Sequence, residues 1–230
     1  MTLSQTRKRL EASFTVLLKP ELQQAGARVV YLVLASETEV QCAGDFYGMT
    51  EPRLALAFRV EIDGRWRGNG PAALLDDSAM LKDCDDDVEI AGEIMSAIAV
   101  HEMAHMVTRA ALFREEADRR GYRRALKTVI ARPCQEDEIP SSPKQSHDAR
   151  FLRAAFHLAH RLEQLGSYVP MSRLLDWQAC GLFGGWRYRW LLREELSQRE
   201  SEPLASVLRS PCPERFQEAV LSDLASVANG

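Results

Sequence analysis

Ile98-Ala-Val-His101-Glu102-Met-Ala-His105-Met-Val107 decides the reading of this 230-residue chain. It predicts a helix that carries His-Glu-x-x-His. His101 and His105 stand four residues apart, so their side chains lie one turn above each other on one face. Two imidazoles so spaced can reach one metal ion, and zinc is the expected one. Glu102 is not a ligand in this pattern. It lies beside the open coordination position, where it can take a proton from metal-bound water. Ile94, Met95, Ala97, Ile98, Ala99 and Val100 make the helix apolar before the motif, and Met106 and Val107 continue it afterwards. A histidine pair in so apolar a helix does not read as a solvated surface feature. The plain alternative is a chance match, with both rings satisfied by hydrogen bonds in a core.

Outward from the motif, the run Asp83-Cys-Asp-Asp-Asp87 lacks the glycine and distal glutamate of a calcium loop. Its carboxylates suit the N-terminus of the motif helix, where the dipole favours negative charge. That helix is expected from about Val88 to about Arg119. Upstream, residues 3 to 19 read as an amphipathic helix with Leu3, Leu10, Phe14, Leu17 and Leu18 near one face. Pro20 predicts a break or a new start. Residues 29 to 34 and 54 to 62 read as strands. Gly44, Gly48 and Pro52 bracket an expected turn around Asp45-Phe-Tyr47, and Gly68, Gly70 and Pro71 mark a loop. Downstream, Arg109, Arg114, Arg119, Arg120, Arg123, Arg124 and Lys127 form a basic segment, read as a salt-laced solvent face. Residues 132 to 146 read as a loop. From Val169 the chain is expected to be mostly helical, with breaks at Gly181, Gly184 and Gly185. In Trp186-Arg-Tyr-Arg-Trp190, the two tryptophans four apart are expected to pack inward and leave Arg187 exposed.

Composition narrows the class. Apolar residues are 46% and charged residues 27%, as in a soluble globular protein. A net charge of -4 argues against a protein whose main work is coating nucleic acid. Cys42, Cys84, Cys134, Cys180 and Cys212 are scattered, with no CxxC pair, which suits free thiols in a reducing compartment. The N-terminal apolar run is too polar for a signal peptide, and no stretch has the length of a membrane span. The expected location is the cytoplasm.

A catalytic zinc site needs three protein ligands and one open position. The metzincin continuation would need Gly at 108 and His at 111, where this chain has Thr108 and Ala111. The remaining histidines lie in Ser146-His147-Asp-Ala-Arg-Phe151-Leu-Arg-Ala-Ala-Phe156-His157-Leu-Ala-His160, a strongly helical stretch. Ser146 is expected to cap it, with Asp148 in the first turn. His147, at a helix start after a loop, is the preferred third ligand, with Phe151 packed beside it. His157 and His160 are too far along the same helix to join His147 on one ion. A glutamate ligand, Glu163 foremost, is the competitor.

Two strands, then His-Glu-Met-Ala-His, then Ser-His147-Asp-Ala-Arg-Phe151 resemble the SprT-like zincin metallopeptidases. The resemblance covers about residues 25 to 165. It implies an α+β zincin-like domain with a small sheet packed on the metal-binding helix. It also implies Zn2+ held by His101, His105 and His147, with Glu102 as the base. Asp148 stands where that family often has glycine, and the interval from His105 to His147 is longer than usual. The expected organisation is an N-terminal helix over 1–24, the zincin-like domain over 25–168 and a helical extension over 169–230.

The leading expectation is zinc-dependent hydrolysis of a protein or peptide substrate, paired along strand 29–34 or 54–62. Arg150, Arg153, Tyr122 and Tyr168 are candidates to stabilise the oxyanion. The rivals are a nucleic-acid-associated factor, using the arginine segment and the Trp-Arg-Tyr-Arg-Trp stretch, and a non-catalytic zinc-binding interaction protein.

Overall fold

Thr2 opens the first helix: its hydroxyl accepts the Gln5 N–H while the Gln5 side chain accepts the Thr2 N–H. This reciprocal pair satisfies two of the donors that a helix start leaves over. The helix, α1 (Leu3–Leu17), buries Leu3, Leu10 and Phe14. It stops two residues short of the expected end, and Pro20 lies in the first turn of a new one, α2 (Lys19–Ala25). In a first turn, the missing proline N–H costs nothing. These elements belong to a computed structural model that describes residues 1–25, 27–38, 47–50, 72–109, 147–174 and 185–228.

The sheet has three strands in the order β1-β3-β2. β1 (Tyr31–Leu34) runs parallel to β3 (Ala72–Leu75), with Tyr31 opposite Ala72 and Leu34 opposite Leu75. β2 (Gly48–Thr50) runs antiparallel to β3, with Gly48 opposite Leu75 and Thr50 opposite Ala73. Two of these strands differ from expectation. Gly48, expected at a turn, stands in β2. β3 carried no strand signal, because Ala-Ala-Leu-Leu has neither β-branched nor aromatic residues and no alternation. All four of its residues are buried, as in a strand covered on both faces. The strand expected over 54–62, the helix beyond Arg109, most of the basic segment and the loop 132–146 lie outside the described residues.

Asp76 caps α3 (Asp77–Lys82) by accepting the Ala79 N–H. The acidic run then turns the chain with Asp85 and Asp86 at φ 49° and 63°. Aspartate tolerates this left-handed region better than most residues. Asp87 accepts the N–H groups of Glu89 and Ile90 at 2.9 and 3.1 Å, so the run does serve the start of the motif helix. That helix, α4 (Val88–Arg109), is buried on all sides from Met95 to Val107. It has no single apolar stripe, because β2 and β3, α1, α3 and the helices after it surround it.

α5 (Ala149–Gln164) is the main helix laid against α4. A single turn, α6 (Met171–Leu174), follows it and also touches α4. α7 (Gly185–Gln198), α8 (Leu204–Arg209) and α9 (Glu214–Ala228) complete the described chain. α7 turns Tyr188, Leu192 and Leu196 inward. Trp186 and Trp190 are exposed, contrary to expectation. The stripe 188/192/196 stays apolar for three turns, whereas the stripe from Trp186 and Trp190 runs on into Arg193 and Glu194. One apolar cluster extends from Leu3 to Val220 and crosses both expected domain boundaries. The Glu21 carboxylate, fully buried, accepts the Ala205 N–H at the start of α8 at 3.1 Å. The architecture is α+β, mostly helical. No helix among the described residues is long and apolar enough to cross a membrane.

A buried ionic network fastens α5 to the C-terminal helices. Arg153 donates to both Glu195 oxygens at 2.8 and 2.9 Å and to the Ser210 carbonyl at 2.8 Å. His157 meets the same carboxylate at 2.7 Å. Burial holds His157 below its ordinary pKa despite the pull of Glu195, so the neutral ring donates through Nε2. Burial alone would raise Glu195, but hydrogen bonds from His157 and Arg153 outweigh it and hold the carboxyl below its usual range. Glu195→Ala leaves the Arg153 charge buried without its partner and is expected to cost about 3–5 kcal/mol. Urea unfolding measures this, and a loss under about 1 kcal/mol would show that the network fastens nothing. In the wild type the Glu195 contribution is full above its unfolded pKa of about 4.3 and fades as the pH falls through its lower folded value.

Candidate metal centre

His101 and His105 come from the middle of α4, and His147 from the residue before the cap of α5. The cap is Asp148, whose carboxylate accepts the Phe151 N–H at 2.8 Å from extended backbone. This corrects the expected arrangement, in which Ser146 capped and Asp148 lay in the first turn; Ser146 lies outside the described residues. The shift leaves His147 just off the helix, on backbone that need not follow the helical path. Its ring turns toward α4.

All three histidines are buried. The His101 Nε2 lies 3.1 Å from that of His105 and 3.2 Å from that of His147. The three ligand atoms lie within 4.8 Å of one another. Zinc–nitrogen bonds of about 2.0–2.1 Å at tetrahedral angles put neighbouring nitrogens about 3.3 Å apart. The two short edges match that spacing, and the third, within 4.8 Å, has to shorten by rotation of an imidazole for all three nitrogens to bond one ion. The His101 Nδ1 lies 3.5 Å from the Leu174 carbonyl oxygen at the end of α6, a long hydrogen bond. With its N–H turned there, the ring presents the Nε2 lone pair to the other two histidines. Lone pairs converging from three imidazoles favour a cation, so the donor set fits zinc.

Phe151, buried in the first turn of α5, closes one side of the site. Its ring centre lies 5.0, 4.4 and 4.7 Å from those of His101, His105 and His147. One aromatic ring thus fixes the tilt of all three. Phe151→Leu is expected to lower zinc affinity about 10–100-fold, the range for groups that orient ligands. Competition with a chromophoric chelator reads this directly, and an unchanged affinity in a folded variant would remove the role.

No protein-family model, curated protein or solved structure matches the chain.

Glu102 is buried on α4, on the side that meets β2. The other candidates fall elsewhere. His157 is held by Glu195, and His160 lies 3.5 Å from Glu200. Glu163, the competing ligand, is paired with Arg189. Arg153 is committed to Glu195 and Ser210. Arg150 and Tyr168 are exposed, and Tyr122 lies outside the described residues. β1, one of the strands considered for substrate pairing, is separated from β2 by β3. Two features had no clear signal in the sequence. The Leu174 carbonyl is a backbone group, and Gly48 resembled any turn glycine.

Proposed function

We propose that this chain is a zinc-dependent metallopeptidase with a zincin-like arrangement of sheet and motif helix. One observation carries the reading: three buried imidazoles converge through Nε2 on the helix that also carries Glu102. His101, His105 and His147 would hold a zinc ion by neutral nitrogens, and the ion would supply acidification of a water molecule and polarisation of a carbonyl group. The Leu174 carbonyl keeps the His101 ring in the tautomer that offers Nε2, and Phe151 keeps bulk water from one side. Glu102 takes the proton of the attacking water and passes it to the leaving amine. β2, the strand beside Glu102, is the one along which an extended peptide would lie.

The test pairs elemental analysis with cleavage of a peptide library read by mass spectrometry. Stoichiometric zinc with cleavage that Glu102→Gln abolishes supports the reading. A folded wild-type protein that takes up no zinc on reconstitution overturns it.

A second reading, a nucleic-acid-associated factor, is favoured by the exposed Trp186 and Trp190, with the Arg193 guanidinium 4.2 Å above the Trp190 ring. Such a face suits stacked bases. Binding to single-stranded DNA that weakens steeply with salt supports it, and no binding at low salt removes it.

A further inference from the structure

Gly48 stands where β2 crosses α4, and its missing side chain has a specific reason. A Cβ built there would lie 2.6 Å from the Ile98 Cγ2, 2.9 Å from the Glu102 Cγ and 3.1 Å from the Glu102 Oε1. Real Cβ atoms essentially never come under 3.0 Å of another heavy atom. The backbone at Gly48 is outside the left-handed region, so glycine is not needed there for its φ. Nor is the whole strand face so tight. Thr50, two residues on and therefore on the same face, keeps a β-branched side chain that is buried. The demand for glycine is confined to the point where the strand backbone meets Ile98 and the stem and one oxygen of Glu102.

We infer that Gly48 is a positioning residue for the Glu102 carboxylate, an inference that rests on the reading of Glu102 as the base. The strand backbone forms one wall against the carboxylate stem, and Ile98, one turn back on α4, occupies the adjoining space. The wall removes those rotamers of a carboxylate on three rotatable bonds that would cross the strand. Packed against the strand, Glu102 keeps one orientation. A methyl group at position 48 pushes the stem away from the wall and turns the carboxylate from its working direction. None of the three atoms nearest a Cβ at position 48 belongs to a histidine, so zinc binding is expected to stay intact.

The experiment must separate crowding of the strand from displacement of the base. Gly48→Ala alone meets Ile98 as well as Glu102, so the work is done in an Ile98→Ala background, which removes the Cγ2, the nearest of the three atoms, and leaves the two of Glu102. Acetohydroxamate is the probe. It chelates zinc through two oxygens and gives its hydroxyl proton to an adjacent base, so its affinity reports the carboxylate without any substrate. Zinc content and circular dichroism are recorded for each variant. Adding Gly48→Ala to Ile98→Ala is expected to weaken acetohydroxamate binding at least fivefold at unchanged zinc stoichiometry. When Glu102→Gln is also present, the same substitution is expected to change affinity less than twofold, because the proton acceptor is already gone. An equal loss with and without Glu102→Gln would overturn the inference, since the methyl would then be obstructing the probe itself. So would no loss at all in Ile98→Ala/Gly48→Ala. If Glu102→Gln alone leaves acetohydroxamate affinity unchanged, the base reading fails, and the role of Gly48 fails with it.

Discussion

His147→Ala is expected to take bound zinc from about one ion per chain to a small fraction of that, with the helices intact by circular dichroism. The loss should exceed the roughly 10–100-fold that outer-sphere changes cost, because a nitrogen bonded to the ion is removed. His101 and His105 remain on one rigid helix, but two imidazoles leave half of a tetrahedral shell to water. A thermal consequence accompanies the loss. A ligand that binds only the folded state at about 1,000 times its Kd adds about 4 kcal/mol. A chelator should therefore lower the Tm of the wild-type protein and leave that of His147→Ala where it is. His157→Gln is the control, since that ring serves Glu195 on the far part of α5. Zinc retained at full stoichiometry in folded His147→Ala would strike His147 from the ligand set.

Glu102→Gln should leave zinc in place and reduce peptide hydrolysis by about 10^2–10^4-fold, the usual contribution of a positioned general base. Glutamine keeps the length and packing of the side chain, including its contact with the strand at Gly48, and loses only the ability to accept a proton. The change should appear in kcat rather than KM, because the proton moves in the transition state and not on binding. Turnover within threefold of wild type would mean that another group takes the proton.

The cluster of three histidines was legible because it is written in local spacing. His101, Glu102 and His105 occupy fixed angles on any helix, and the apolar residues around them required that helix to be buried. His147 could be preferred over His157 and His160 because ten and thirteen helical residues cannot fold back on one ion. What escaped was decided by partners far away in sequence. Ala72–Leu75 becomes a strand because neighbours on both sides supply the hydrogen-bond ladder, not because alanine and leucine favour it. Gly48 was mistaken for a turn residue because local sequence does not distinguish a glycine needed for φ from one needed for space. Trp186 and Trp190 have the spacing of a packed stripe. Which stripe packs was settled by how far each continues, and the one through Tyr188 runs longer. Asp148 displaced Ser146 as the cap by the ordinary ambiguity of adjacent capping residues.

The hydrogen bond from the Ala205 N–H to Glu21 spans 184 residues. It has a consequence for the chain as it is made. When synthesis has passed Gln164, every proposed zinc ligand and the base already exist, yet Glu21 still lacks the donor that meets it at the start of α8. The next 40 residues take roughly 2–8 s at about 5–20 residues per second. During that interval the Glu21 carboxylate has the Arg161 charge acting on it but lacks the backbone N–H that completes its burial against α8. Maturation of the N-terminal helices is thus timed by the arrival of the C-terminal ones, and a nascent chain arrested near Gln164 should remain open to protease at α2 while a chain released at full length closes.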